Sequence, residues 1–336
     1  MIAKPLVSIL IPSYNAEKWI AESIQSAIAQ TWPRKEIIVI NDGSTDRTVD
    51  VIQRFGSQVK LVSTENQGLS AAVNTAYRLC HGDYIQELDS DDILALDKIE
   101  RQLAALRPGD SKRILLSSPW APFLCRTRHA QFVNTSLCQD LSPVEWLLRK
   151  MTEGPHMQNA TWLVSRELAE IAGPWNASLC YDQDGEYFDR VVAASDGIRF
   201  VPGTGVYYRN TGIGSVSYIG NDDAKKESLL VSIKLHLQYL QSLEKSERVR
   251  KACLAYLQKH YEDFYPERPD LVRSLQELAA ELHGSLQKPQ LRSKYDWMRP
   301  IFGFKAAKWA QSVLPQLKCS AIRQYERAMQ RVLGSS

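Results

Sequence analysis

The chain has 336 residues, 44% of them apolar and 24% charged. That is ordinary globular composition, and it excludes wholesale disorder. The mean hydropathy is −0.30, and no run of about 18 apolar residues occurs, which argues against a transmembrane span. A net charge of +3 is too small to predict a nucleic-acid binder.

That +3 averages two unlike parts. From Gln287 onward the sequence holds ten Lys/Arg and two Asp/Glu, a segment charge of +8, which leaves −5 for residues 1–286. The opening Met1-Ile2-Ala3-Lys4-Pro5 runs straight into a strand-like segment and lacks the apolar stretch of a signal peptide. None of the six cysteines forms a C-x-x-C pair. Together these features predict a cytoplasmic protein with free thiols and no structural zinc.

The first hundred residues alternate strand and helix signals. Leu6–Ile11 is a short β-branched run closed by Pro12, hence a buried strand. Asn15 can cap a helix that carries Trp19, Ile20, Ile24, Ala27 and Ile28 on one face. Ile37–Ile40 is a second strand, ending in the polar turn Asn41-Asp42-Gly43-Ser44, and Thr45 or Asp46 starts a short helix through Phe55. Val59–Ser63 is a third strand and residues 68–80 are helical. Asp83–Leu88 is a fourth strand, stopping at Asp89-Ser90-Asp91-Asp92, with helix again at about 94–107. This alternation predicts a mostly parallel sheet with helices on both faces. Ligands of such sheets bind at the carboxyl ends of strands. The polar segments after each strand should therefore lie along one edge.

Further on, residues 110–220 are less regular, with strand candidates at Ile198–Val201 and Gly205–Tyr208. Residues 223–262 and 269–283 read as helices. The spacing of Ala306, Trp309, Val313, Leu317, Tyr325 and Val332, interleaved with Lys and Arg, predicts a basic amphipathic tail broken at Pro315. Such a tail suits an anionic bilayer, a packed helix or a dimer contact.

Asp89-Ser90-Asp91 puts two carboxylates one residue apart at a strand end, where both can reach one divalent ion; hard oxygen ligands suit Mg²⁺ or Mn²⁺. The rival reading makes Asp91 or Asp92 a helix cap. Asp42 can accept from a nucleobase N–H or a ribose hydroxyl, or can simply be turn chemistry. Tyr14 can stack on a base or be an ordinary half-buried aromatic.

The segment Val7-Ser8-Ile9-Leu10-Ile11-Pro12-Ser13-Tyr14-Asn15 resembles the opening of family 2 glycosyltransferases of the GT-A fold. Ile38–Asp46, Asn66–Ala72, Gly82–Ile85 and Leu88–Asp92 match the same family in order. The resemblance covers about 1–215. It implies an α/β GT-A fold, with a Rossmann-like, mixed or mostly parallel central sheet flanked by helices and a C-terminal helical extension. Residues 1–110 would form the nucleotide-sugar half, 111–220 the acceptor half and 221–336 the helical region with the basic tail.

The resemblance implies an inverting transfer of sugar from a UDP- or dTDP-linked donor to a saccharide or lipid-linked acceptor, as in polysaccharide synthesis. Pro12, Tyr14, Asp42, Asn66, Gly68, Asp89, Ser90 and Arg209 would bind the donor. Asp91 and Asp89 would hold Mn²⁺ or Mg²⁺, with Asp91 the direct ligand. Gln158, Trp162, Trp175 and Asp182 would meet the acceptor. In Tyr181-Asp182-Gln183-Asp184, Asp184 matches the family's general base and Asp182 is its competitor. Tyr207-Tyr208-Arg209 with Gly214–Ser217 matches a closing family element; a surface salt bridge is the other reading of Arg209. The chain departs from the family at Val73, where a basic residue often precedes Asn74. Two other readings are a sugar-1-phosphate nucleotidyltransferase and a non-catalytic scaffold. The first would want a Gly-rich basic loop where Pro12-Ser13-Tyr14-Asn15 stands, and the carboxylates argue against the second.

Overall fold

A computed structural model describes residues 4–211, 219–220, 222–289, 293–298, 300–304, 306–311 and 314. The first βα units are β1 (Val7–Ser13), α1 (Ile20–Ile28), β2 (Lys35–Asp42), α2 (Thr48–Gln53), β3 (Lys60–Thr64), α3 (Leu69–Leu79) and β4 (Tyr84–Glu87). Then come β5 (Ile93–Leu94), α4 (Lys98–Ala104), β6 (Ile114–Ser117), β7 (Trp120–Phe123), α5 (Pro143–Glu153), β8 (Val164–Ser165) and α6 (Arg166–Ala172). The chain continues through α7 (Gln183–Ala194), β9 (Gly197–Phe200), β10 (Val206–Arg209), α8 (Asp223–Leu243), α9 (Glu247–Phe264) and α10 (Pro269–Glu281).

The main sheet has the order β3-β2-β1-β4-β8, parallel except for the antiparallel edge strand β8. Every residue of β1 is buried, as a central parallel strand covered on both faces requires. Alternation along the strands splits the core. Leu10, Ile38 and Ile40 pack with Ala72 and Ala76 of α3 on one face. Ile9, Ile11 and Val39 pack with Ile20 and Ile24 of α1 on the other. A third apolar cluster joins α5, α6 and α7 to α8, α9 and α10, with Trp146, Trp162, Phe188, Ile233 and Leu257 among its members. The strands β10 and β7 pair in parallel, and β5 adds to β10 antiparallel.

Several elements differ from the sequence reading. The helix expected from Asn15 begins at Ile20. Asn15 sits in the left-handed region (φ 48°), and its Oδ1 accepts from the Thr45 amide at 2.8 Å, so it caps the turn after β2 instead. The helix expected from about 94 begins at Lys98, after the short strand β5. Asp91 and Asp92 therefore cap nothing. The stretch 223–262 is two helices, parted at Glu244-Lys245-Ser246, where Ser246 caps α9 by accepting from Val249. The Gly214–Ser217 element, most of the basic residues of the tail and Cys319 lie outside the described residues.

Candidate active site

The carboxyl ends of β1, β2 and β4 open into one cavity of about 1010 Å³. Pro12, Tyr14, Asp42, Asn66, Gly68, Asp89, Ser90 and Asp91 line one side of it, which is where strand-end segments of a parallel sheet should gather. Gln158, Trp162, Asp182 and Asp184 line it too, so twelve of the fourteen expected site residues share one space. Tyr14 is 52% exposed, a ring free to stack. Helix α9 adds Tyr256, Lys259 and His260 to the wall.

Asp42 is buried, and its two oxygens accept from the Gln67 and Gly68 amides, each at 2.8 Å. It thus ties the end of β2 to the loop before α3. Gly43 (φ 71°) lies so close to that loop that a Cβ would come within 2.7 Å of the Asn66 nitrogen. Val73 is buried in the core, so the departure from the family pattern puts an apolar contact where a charge would otherwise stand.

The Asp89–Asp92 turn is held from several directions. Asp89 accepts from Asn159 Nδ2 at 3.0 Å. Asp92 accepts from Gln158 Nε2 at 2.6 Å and from the Arg209 amide at 2.8 Å. Burial, followed by the charge of Asp91, pushes Asp89 up to about 7. Burial also raises Asp91, against the pull of Arg209, and raises Asp92 further. Behind them Glu87 is pushed up to about 8, again chiefly by burial. Desolvated, mutually repelling carboxylates are a donor set that a hard divalent cation would relieve. Among the described residues no three His, Cys, Asp or Glu side chains form a preformed metal cage.

Two expected residues do not reach the wall. Arg209 is 2% exposed, with its Nε on the Asp91 carbonyl at 2.7 Å and its Nη2 on Glu22 at 2.7 Å. Its guanidinium lies over Trp19 and Phe123 at 4.5 and 4.4 Å. It braces the Asp89–Asp92 turn from behind, pairs with the half-exposed Glu22, and does not line the cavity. Trp175 is likewise buried: its Nε1 donates to Glu87 at 3.1 Å and its ring stacks on Tyr187 at 5.0 Å. It supports the site from behind instead of lining the cavity.

Asp182 and Asp184 differ in their surroundings. Asp182 holds a left-handed backbone (φ 58°) just before α7, and its Oδ2 accepts from Ser232 of α8. A Cβ on Gly185 would meet its Oδ1, so the Asp182 carboxylate lies folded over that glycine. Asp184, in the first turn of α7, lines the cavity and accepts no hydrogen bond from the described residues. The sequence reading missed Glu87, the Lys150–Asp189 pair at 2.6 Å and the fully buried His236. A lone residue on a strand or helix carries no motif that could have marked any of them.

Residues 8–119 match the sequence profile of the family described as Glycosyl transferase family 2. Chondroitin synthase of Escherichia coli is 44% identical over 106 residues, 31% of this chain and 16% of that protein. An uncharacterized glycosyltransferase of Haemophilus influenzae is 45% identical over 103 residues, 30% of this chain and 41% of that one. The chain thus spans less than half the length of these relatives. Among solved structures, S. aureus TarS 1–349 in complex with UDP-GlcNAc superposes with a TM-score of 0.64 at 17% identity, covering 90% of each chain. The mannosyltransferase PcManGT from Pyrobaculum calidifontis, in complex with GDP-Man and Mn²⁺, superposes with a TM-score of 0.53 at 17% identity, covering 96% of this chain and 88% of that one.

Proposed function

We propose that this chain, which belongs to glycosyl transferase family 2 through residues 8–119 and has the GT-A fold, moves a sugar from a nucleoside-diphosphate donor to a hydroxyl group with inversion. One observation carries the reading: the strand-end carboxylates Asp89 and Asp91 share a single cavity with Asp184, whose carboxylate takes no hydrogen bond or ion pair among the described residues. We read 1–110 as the donor half, 111–220 as the acceptor half and 221–336 as a helical extension. The donor is a UDP- or dTDP-sugar, and the acceptor is a saccharide or lipid-linked saccharide of polysaccharide synthesis. That two structural neighbours were solved with UDP-GlcNAc and GDP-Man supports a nucleotide-sugar donor.

In this reading Tyr14 stacks on the base, and Asp42 and Asn66 face the nucleoside. Asp91, with Asp89, would hold Mn²⁺ or Mg²⁺, and such an ion would supply positive charge to the diphosphate leaving group. Asp184 takes the proton of the acceptor hydroxyl as its oxygen bonds to the anomeric carbon and the carbon–oxygen bond to the diphosphate breaks. A carboxylate in the first turn of a helix is favoured in its ionised, basic form. The reading favours Asp184 over Asp182 as base because the Asp182 carboxylate accepts from Ser232 and is folded over Gly185. The test is release of nucleoside diphosphate from a panel of nucleotide sugars with saccharide acceptors, with and without Mn²⁺. Metal-dependent release with one donor supports the reading; no release with any donor defeats it.

A second part of the reading concerns place. No helix among the described residues is long and apolar enough to cross a membrane. Yet Trp297, Ile301, Phe302, Trp309 and Leu314 are each 47% to 64% exposed within one short stretch. The stretch belongs to the segment whose charge is +8. Aromatic side chains among lysines and arginines suit an anionic bilayer surface. Sedimentation of the full chain with phosphatidylglycerol vesicles, but not with phosphatidylcholine vesicles, is the expected result. A concentration-dependent dimer with no vesicle binding would assign the patch to a second copy of the chain.

A further inference from the structure

The turn that carries Asp184 is held by one helix from outside the matched family segment. Ser228 of α8 accepts from the amides of Cys180 and Tyr181 at 3.1 and 3.0 Å, and its hydroxyl donates to the Tyr181 carbonyl at 2.9 Å. One turn later Ser232 donates to Asp182 Oδ2. A further turn on, His236 lies 3.3 Å from Ser232 Oγ through Nε2 and 2.8 Å from Tyr256 OH through Nδ1. Tyr239 then donates to Glu186. The spacing of four, four and three residues puts all four side chains on one face of α8. Along that face they meet the segment from residue 180 to residue 186 in order.

These polar groups are costly where they stand. Ser232 and His236 are fully buried and Ser228 nearly so. A buried hydroxyl contributes little net stability, but it fixes geometry when its partners are satisfied. The geometry being fixed is unusual: a left-handed, non-glycine Asp182 immediately before the helix that presents Asp184. An apolar α8 face would bury as well and leave the turn free to relax.

We propose that Ser228 and Ser232 are positioning residues, a template on α8 that fixes the backbone of Cys180–Asp182 so that Asp184 faces the cavity. This rests on the reading of Asp184 as general base, and the experiment separates the two. Hydrogen exchange of the full chain is compared for the native protein, Ser228→Ala and Ser232→Ala, and kcat is measured alongside KM for the donor. The expected result is faster exchange in peptides covering 180–186, unchanged exchange over 60–92, and a tenfold or larger loss of kcat at unchanged donor KM. Ser232→Thr, which keeps the hydroxyl, should restore kcat. Unchanged exchange over 180–186 overturns the proposal whatever the activity. Faster exchange with native kcat overturns it as well, because the held turn would then not serve the base. If the native chain transfers no sugar at all, the reading of Asp184 fails, and the exchange data alone decide whether α8 holds the turn.

Discussion

The two walls of the cavity hold their carboxylates by different means. On the wall proposed for the donor, Asp42 is fixed by two backbone amides at the end of β2, while Asp89 accepts from the Asn159 side chain. On the opposite wall, Asp184 is presented by a turn whose backbone is held by side chains of α8, above all Ser228 and Ser232. Backbone fixation needs glycines and close loop contacts, and it tolerates few changes of shape. Side-chain fixation leaves the wall itself open to change, because a different helix with different hydroxyls could present the same carboxylate in another orientation.

The largest expected effect breaks the acceptor wall's chemistry without touching its structure. Asp184→Asn should lower kcat by about 10²- to 10⁴-fold, the usual contribution of a general base. Titration with nucleoside diphosphate should show unchanged affinity. A variant that kept native kcat would remove Asp184 from the mechanism.

Glu87 links the two walls, since it lies on β4 and accepts from Trp175, whose backbone is in turn clasped by Asn74. Its carboxyl is raised to about 8 by burial; the Trp175 hydrogen bond opposes this, and the charges of Asp89 and Asp184 reinforce it. In the unfolded chain a glutamate titrates near about 4.3. The folded state therefore binds the proton more tightly, so this group's contribution to stability is complete below about pH 4 and is lost as pH rises through about 8. Every tenfold difference in proton affinity between the folded and unfolded chain corresponds to about 1.4 kcal/mol. Glu87→Gln should match the native protein at about pH 4 and exceed it by up to several kcal/mol at pH 8, measured by urea unfolding in metal-free buffer. Equal stability at both pH values would show that Glu87 is ionised at little cost.

A smaller effect is expected on the donor wall. Asp91→Asn should weaken the Mn²⁺-dependent part of nucleotide binding by about tenfold or more, the scale of one charged contact at about 1.5–3 kcal/mol. Calorimetric titration with and without Mn²⁺ isolates that part. Equal metal dependence in the variant would move the ion off Asp91.

The sequence made the donor wall legible because strand-end segments follow from the alternation of buried runs and polar turns. Asp42, Asp89 and Asp91 can be placed from local pattern alone. Arg209 and Trp175 could not be placed that way. Both are adjacent to expected motifs, and both turn their side chains inward for reasons set by distant partners, Glu22 and Glu87. The α8 seam was hidden for a related cause. Its serines look like ordinary polar helix positions until the segment from 180 to 186 is seen packed against them. The proposal of Asp184 over Asp182 rests on which carboxylate already accepts a hydrogen bond, and that is a three-dimensional fact.

The smallest effect tests whether the donor wall is built of backbone contacts. Gly43 and Gly68 both have positive φ, 71° and 88°. An alanine at either position is strained, and at Gly68, whose ψ of 167° places it in a region that glycine almost alone adopts, the backbone cost is about 1–3 kcal/mol. They differ in their surroundings: a Cβ on Gly43 would meet the Asn66 nitrogen at 2.7 Å, whereas one on Gly68 would meet nothing within 4 Å. Backbone cannot rotate away as a flexible side chain can. Gly43→Ala should therefore displace the loop whose amides Asp42 holds, whereas Gly68→Ala strains only its own backbone. Nucleotide binding and hydrogen exchange at the 66–67 amides, measured in both variants, give the difference. Equal exchange at those amides would mean that the contact between β2 and the 66–68 loop is slack. Faster exchange in Gly43→Ala, with weaker nucleotide binding, would show that this wall depends on a backbone approach no side chain at that position could replace.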